Sequence, residues 1–131
     1  MLHGEMKIMA KRNNRKKGTE GEKIAAKYLE EKGYEVLWRN YRYKNKEIDL
    51  ICKKDEYLVV VEVKTRYFKG DEWPDEIVTM NKQRYLIEAT EEFMMKHHID
   101  LEVRFDVIFV YMRWGEFDRL EHIEDAFHPL A

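Results

Sequence analysis

The sequence predicts an α/β fold, a mixed β-sheet flanked by helices in the order α, β, β, β, α, β, β, and three features point to it. Two segments carry apolar residues at helical spacing, and five others are rich in Val, Ile, Leu, Tyr and Phe between polar turns. Hydrophobic residues make up 44% of the 131 positions against 38% charged, enough for a packed core under an ionic surface. A chain of this length has material for one such core rather than two.

The first helix is expected to begin at Thr19, an N-cap with Glu22 three residues on, and to run through Ile24, Ala25, Ala26, Tyr28 and Leu29 to Lys32, where Gly33 stops it. Strands follow at Tyr34 to Tyr43, Glu47 to Lys53 and Tyr57 to Thr65, a β-meander. Arg66 to Asp75, with Gly70 and Pro74 and no periodicity, reads as a loop whose Tyr67, Phe68 and Trp73 are placed to fold back on the body. From Thr79 to His97, residues Met80, Leu86, Ile87, Ala89, Phe93 and Met94 suit a helix covering one sheet face, and His97-His98 ends it. Val103 to Met112 alternates as a strand, turns at Trp114-Gly115-Glu116, and a short strand at about Leu120 to Ile123 completes the order.

No run approaches the ~18 to 20 apolar residues that cross a bilayer, and no continuous apolar signal segment stands at the start, so a cytoplasmic protein with no membrane contact is expected. A lone cysteine, Cys52, excludes an internal disulfide, and the five histidines form no zinc spacing with it. The net charge of −2 conceals an uneven distribution. Residues 1–17 carry six Lys or Arg against Glu5 alone, leaving 18 basic and 25 acidic residues beyond them. The chain therefore divides into a basic, flexible arm, 1–17, and a single domain, 18–131. Such an arm suits a nucleic-acid backbone, and a solvated tail accounts for it equally well.

Chemistry concentrates in Glu47-Ile48-Asp49-Leu50-Ile51 and Leu58-Val59-Val60-Val61-Glu62-Val63-Lys64, where acids and a lysine interrupt apolar strands. Glu62 and Lys64 are two apart and share a face. In a hairpin centred between Asp55 and Glu56, paired positions sum to 111, which sets Asp49 opposite Glu62 and Glu47 opposite Lys64, all on one face. An odd-length loop would break this register. Opposed residues have Cβ atoms roughly 4.5 to 5.5 Å apart, so the two acids either share a hard cation or repel. Magnesium or Lys64 can supply the positive charge. A plain cross-strand ion pair of Glu47 with Lys64 accounts for part of the pattern, but a carboxylate inside Leu58 to Val63 is costly unless paired or coordinated.

Asp49 followed by Glu62-Val63-Lys64 after a short hairpin resembles the metal-dependent PD-(D/E)xK motif of restriction-endonuclease-like folds. More closely, the chain resembles the small YraN-like family of bacterial proteins. The resemblance rests on Gly18-Thr19-Glu20-Gly21-Glu22, Arg39-Asn40-Tyr41-Arg42, Glu47-Ile48-Asp49-Leu50-Ile51, Val61-Glu62-Val63-Lys64-Thr65-Arg66, Lys82, Arg104-Phe105-Asp106-Val107 and His122-Ile123-Glu124-Asp125-Ala126-Phe127, across residues 18 to 127. Lys46 departs from it, standing where the family usually has glycine.

The resemblance implies a restriction-endonuclease-like sheet, with Asp49 and Glu62 binding Mg²⁺ (or Mn²⁺), the Val63 carbonyl supplying a further oxygen and Lys64 acting on the attacking water. Lysine is a poor base at its reference pKa of about 10.4, so a cationic role for Lys64 is favoured. Glu22 has two readings, a capping-box glutamate or an inward-pointing site acid on the face of Ala25, Ala26 and Leu29. Arg39, Arg42, Arg66 and Lys82 are the candidates for holding nucleic acid, with a solvated face as the plainer reading. Asp106 reads as a structural acid paired with Arg104 or Arg66, and His122 as a packing or hydrogen-bonding residue.

The expected function is Mg-dependent hydrolysis of phosphodiester bonds in DNA, on branched or damaged substrates, with RNA as the second candidate partner and a homodimer through an exposed edge strand. The alternative is a non-catalytic nucleic-acid-binding module retaining the nuclease fold; a third reading is an acidic protein-interaction domain.

Overall fold

The computed structural model describes residues 19–68 and 78–128, so the expected arm at 1–17 and residues 69–75 of the expected loop, Trp73 included, lie outside the described residues. Helix α1 spans Glu20–Glu31. Its capping box is complete: the Thr19 hydroxyl accepts the Glu22 amide at 3.1 Å, and Glu22 Oε1 accepts the Thr19 amide at 3.3 Å. Gly33 ends it at φ 90, where a side chain would be strained, and the Tyr34 amide reaches back to the Leu29 carbonyl at 2.9 Å. Helix α2, Met80–His97, starts at the N-cap Thr79 and closes on a left-handed His98.

The strands are β1 (Glu35–Tyr43), β2 (Lys46–Lys54), β3 (Tyr57–Phe68), β4 (Glu102–Arg113) and β5 (Glu116–Phe127), lying in that order across one sheet. The first three form the antiparallel meander, β3 and β4 run parallel, and β4 and β5 are antiparallel. A parallel pair needs a crossover, and α2 supplies it. The element order is the one the sequence predicts. Two strands differ from expectation by more than one residue at an end. Strand β3 continues through Arg66 to Phe68, held by pairing to Tyr111, Met112 and Arg113. Strand β5 is far longer than the Leu120 to Ile123 stretch, because its ladder to β4 holds a segment that is mostly solvent-facing and carries no burial alternation.

Two apolar layers enclose the sheet. On one face Ala25, Ala26 and Leu29 of α1 pack against Leu50, Cys52, Val59, Val61, Ile108 and Val110. On the other, Leu86, Ala89 and Phe93 of α2 pack against Ile48, Ile51, Leu58, Val60 and Phe105. Met80, expected on that helix's covered face, is instead exposed.

Strict alternation would put Ile48 on the same face as Leu50, yet Ile48 joins the α2 layer and Leu50 the α1 layer. The strand therefore changes face at Asp49. Beside it in β1, pairing passes from Arg39 with Leu50 to Tyr41 with Ile48, and the intervening Asn40 adopts φ 54, a left-handed conformation that asparagine tolerates. Helix α1 comes unusually near β3 at this level. A Cβ on Gly21 would stand 1.8 Å from Thr65 Oγ1, so glycine there leaves the room that the Thr65 side chain of β3 occupies against α1.

Candidate functional site

The β2–β3 register is the one read from the spacing: Leu50 pairs with Val61, Ile51 with Val60 and so on to Lys54 with Tyr57, every pair summing to 111. Asp55 adopts φ 54 in the two-residue turn. The pairing ends at Leu50–Val61. The expected pairs Asp49 with Glu62 and Glu47 with Lys64 are not part of the ladder, because β2 changes face at Asp49; instead the Asp49 carboxylate accepts the Val63 amide at 2.7 Å. The Val63 side chain meanwhile packs into the α1 layer.

Glu62 follows Leu58 and Val60 onto the α2 face and is only 6% exposed. Two ammonium groups meet its Oε2, Lys82 Nζ from the first turn of α2 at 3.5 Å and Lys64 Nζ at 3.8 Å. Its Oε1 is buried and has no hydrogen-bond partner. A buried carboxylate oxygen without a donor is expensive unless a cation meets it.

Asp49 is held well above the usual carboxylate range. Burial is the main cause, the negative charge of Glu62 adds to it and Glu22 adds a little more; the Val63 amide and the Lys82 charge pull the other way. The electrostatic contact with Glu22 matters because that residue arrives from the α1 side, whereas Glu62 lies on the α2 side. Asp49, at the point where β2 changes face, senses both. Glu22 makes the capping-box bond, and the same Oε1 also reaches the sheet, accepting the Asn40 side-chain amide at 3.1 Å.

Among the described residues, no three His, Cys, Asp or Glu side chains converge as a closed metal cage. The donors observed here are the carboxylates of Asp49 and Glu62, both hard oxygens, to which the resemblance adds the Val63 carbonyl. That set fits magnesium, which is held by one or two carboxylates together with water and substrate phosphate oxygens, better than calcium with its six to eight ligands. The orphaned Glu62 Oε1 is the atom that calls for it.

The four basic candidates separate. Lys82 meets Glu62 directly, at 3.5 Å. Arg66 follows Lys64 by two along β3 and donates to the Thr65 carbonyl at 2.9 Å. Arg42 lies beside the turn of the β1–β2 hairpin, exposed and 3.5 Å from Glu47. Arg39 is half-buried opposite Leu50, and its charge bears on buried Cys52. Sequence reading missed Asn40 as the link between Glu22 and the sheet; an asparagine between Arg39 and Tyr41 in a strand was the available signal, since it favours left-handed backbone.

Asp106 and His122 form a separate, fully bonded network beneath α1. The buried Asp106 carboxylate accepts Arg104 at 2.9 and 2.8 Å, the Asp125 amide at 3.0 Å and is 2.7 Å from His122 Nε2. His122 Nδ1 lies 3.0 Å from the Tyr28 hydroxyl, tying edge strand β5 to α1. Every acceptor here is occupied within the protein, which marks a structural cluster.

Comparison with known proteins agrees with the motif reading. The model of the "Uncharacterised protein family UPF0102" matches residues 21–110. A UPF0102 protein of Flavobacterium psychrophilum is 40% identical over 111 residues, covering 85% of this chain and 92% of its own length. One from Phocaeicola vulgatus is 41% identical over 112 residues, covering 86% and 92%, and one from Clostridium beijerinckii 40% over 119 residues, covering 89% and 97%. By the span of the family match and by identity carried over nearly the whole of these relatives, the chain belongs to the UPF0102 family, to which its YraN-like motifs point.

Proposed function

We propose that the protein is a magnesium-dependent nuclease that hydrolyses phosphodiester bonds in DNA, on branched or damaged structures. The observation that carries this reading is the Glu62 carboxylate, buried in an apolar strand with one oxygen unpartnered and near enough to the half-buried Asp49 carboxylate for its charge to bear on it. Bound there, magnesium would polarise the phosphoryl oxygen and acidify a water. Asp49 and Glu62 would hold it, with the Val63 carbonyl as a third oxygen. Lys64, with its ammonium beside Glu62, would stabilise charge developing on the phosphate. Glu22, fixed by the Thr19 amide and Asn40, would add negative charge from the other face. Arg66 and Arg42 would bind phosphates farther along the strand, and Arg39 supports the β1 side.

Among the described residues no helix is long and apolar enough to span a bilayer. A homodimer would need a free sheet edge. Strand β5 offers Glu116, Asp118, Glu121, Glu124 and Asp125, which oppose pairing with its own copy, so β1 is the better edge.

The test is cleavage of nicked, branched and abasic DNA by the purified full chain with Mg²⁺ or Mn²⁺, and by Glu62→Ala. Loss of cleavage in the variant supports the reading. Equal cleavage by both removes it, and salt-sensitive binding without turnover on any DNA or RNA assigns the protein to the binding-module alternative.

A further inference from the structure

We propose that Lys82 controls metal loading at the Asp49/Glu62 pair, its ammonium competing with the dication for Glu62 until a phosphate draws it away; this rests on the magnesium-dependent reading above. Lys82 Nζ is closer to Glu62 Oε2 than is Lys64 Nζ, 3.5 against 3.8 Å, although it reaches across from a different element. Lys64 comes from the same strand as Glu62 and its side chain is the more enclosed of the two, whereas Lys82 arrives from α2. Its side chain keeps 28% of its surface in solvent, and its ammonium stands 5.6 Å from the Tyr85 ring centroid, so it has a route toward an incoming anion.

An ammonium and a dication that share one carboxylate repel each other, so the lysine weakens the metal. A phosphodiester contacts both. It supplies an oxygen to a donor set that the protein leaves open, and it offers Lys82 a negative partner other than Glu62. By linkage, metal and phosphate then each raise the other's affinity, and the ion loads where its substrate is.

The experiment titrates Mn²⁺ alone into the full-length wild type, Lys82→Met and Arg84→Met, followed by calorimetry and by the electron paramagnetic resonance of free Mn²⁺. Methionine retains the apolar stem against Tyr85. Arg84 carries the same charge two residues on and bonds Asn81 at 2.9 Å instead, so it controls for charge in general. Lys82→Met is expected to bind Mn²⁺ about tenfold more tightly than wild type, and Arg84→Met within about twofold of it. Binding by Lys82→Met where wild type shows none also supports the competition. Unchanged or weaker binding by Lys82→Met beside clear wild-type binding overturns the role of Lys82 and leaves the metal site standing, as does equal tightening in both variants. No binding by any of the three overturns the metal reading and the competition with it.

Discussion

The Asp49 carboxylate accepts the Val63 amide at 2.7 Å, one residue beyond the last β2–β3 pair, Leu50 with Val61. A side chain takes a strand amide at the place where β2 changes face. The bond opposes, without cancelling, the push that burial and Glu62 give this acid toward its neutral form.

Asp49 makes the fold sensitive to pH in a stated direction. Because burial and Glu62 raise its pKa, the neutral form is favoured in the fold; that contribution is fully present below the usual carboxylate range and is lost as pH rises above it. Asp49→Asn keeps an oxygen for Val63 and carries no charge at any pH. In urea at about pH 7 it should exceed wild type by about 1 kcal/mol, with the gap closing near pH 3. Mg²⁺ should stabilise wild type and leave this variant unmoved.

Gly21 and Thr65 are coupled through space. Gly21→Ala places a carbon 1.8 Å from Thr65 Oγ1 and should cost about 1 to 3 kcal/mol in chemical denaturation. Thr65→Ala removes the worst clash but leaves its own Cβ at 3.0 Å, so the double variant should recover part of the loss. Strict additivity of the two changes would count against the contact.

The two roles of Glu22 can be separated. Thr19→Ala removes the cap acceptor for the Glu22 amide and should lower stability by about 1 kcal/mol while cleavage, measured well below the melting temperature, is retained. Glu22→Gln retains an oxygen for the Thr19 amide and for Asn40 while deleting the charge. It should hold stability close to wild type and reduce cleavage. If cleavage follows stability in both variants, Glu22 is only a cap.

Asp106 should govern the acid limb of unfolding. Burial pushes its carboxyl up, but His122, Arg104 and the Asp125 amide more than offset this, so it rests below the usual value. The stability this provides is present above the ordinary carboxylate range and is lost as pH falls through the lowered pKa. Asp106→Asn leaves the Arg104 charge against a neutral partner and should cost about 3 kcal/mol near pH 7, shrinking toward pH 2 in thermal melts. A constant difference across that range would show that ionisation plays no part.

Much of this architecture was readable before any coordinates. Thr19 with Glu22, Gly33, and Thr79 announce helix ends because caps are local chemistry, settled within four residues. The β2–β3 register was readable as well, since apolar residues on both sides of Asp55-Glu56 leave one pairing that buries them. The length of β5 was not, because an edge strand is held by its neighbour's backbone and shows no alternation of its own. Nor was the exposure of Met80, which depends on how far the sheet extends under α2.

The sequence by itself determined the order of elements, the family and the set of acids and lysines available, because periodicity, caps and turn chemistry act over short spans of chain. Tertiary structure alone decided that Lys82 meets Glu62, that Asn40 holds Glu22, and that Asp106, for which the sequence offered Arg104 or Arg66, takes Arg104 and closes on His122 as well. The first two contacts join different elements across 20 and 18 residues, where no periodicity operates. Their geometry follows from the break in β2 at Asp49 and the close seat of α1 at Gly21, and both are consequences of packing.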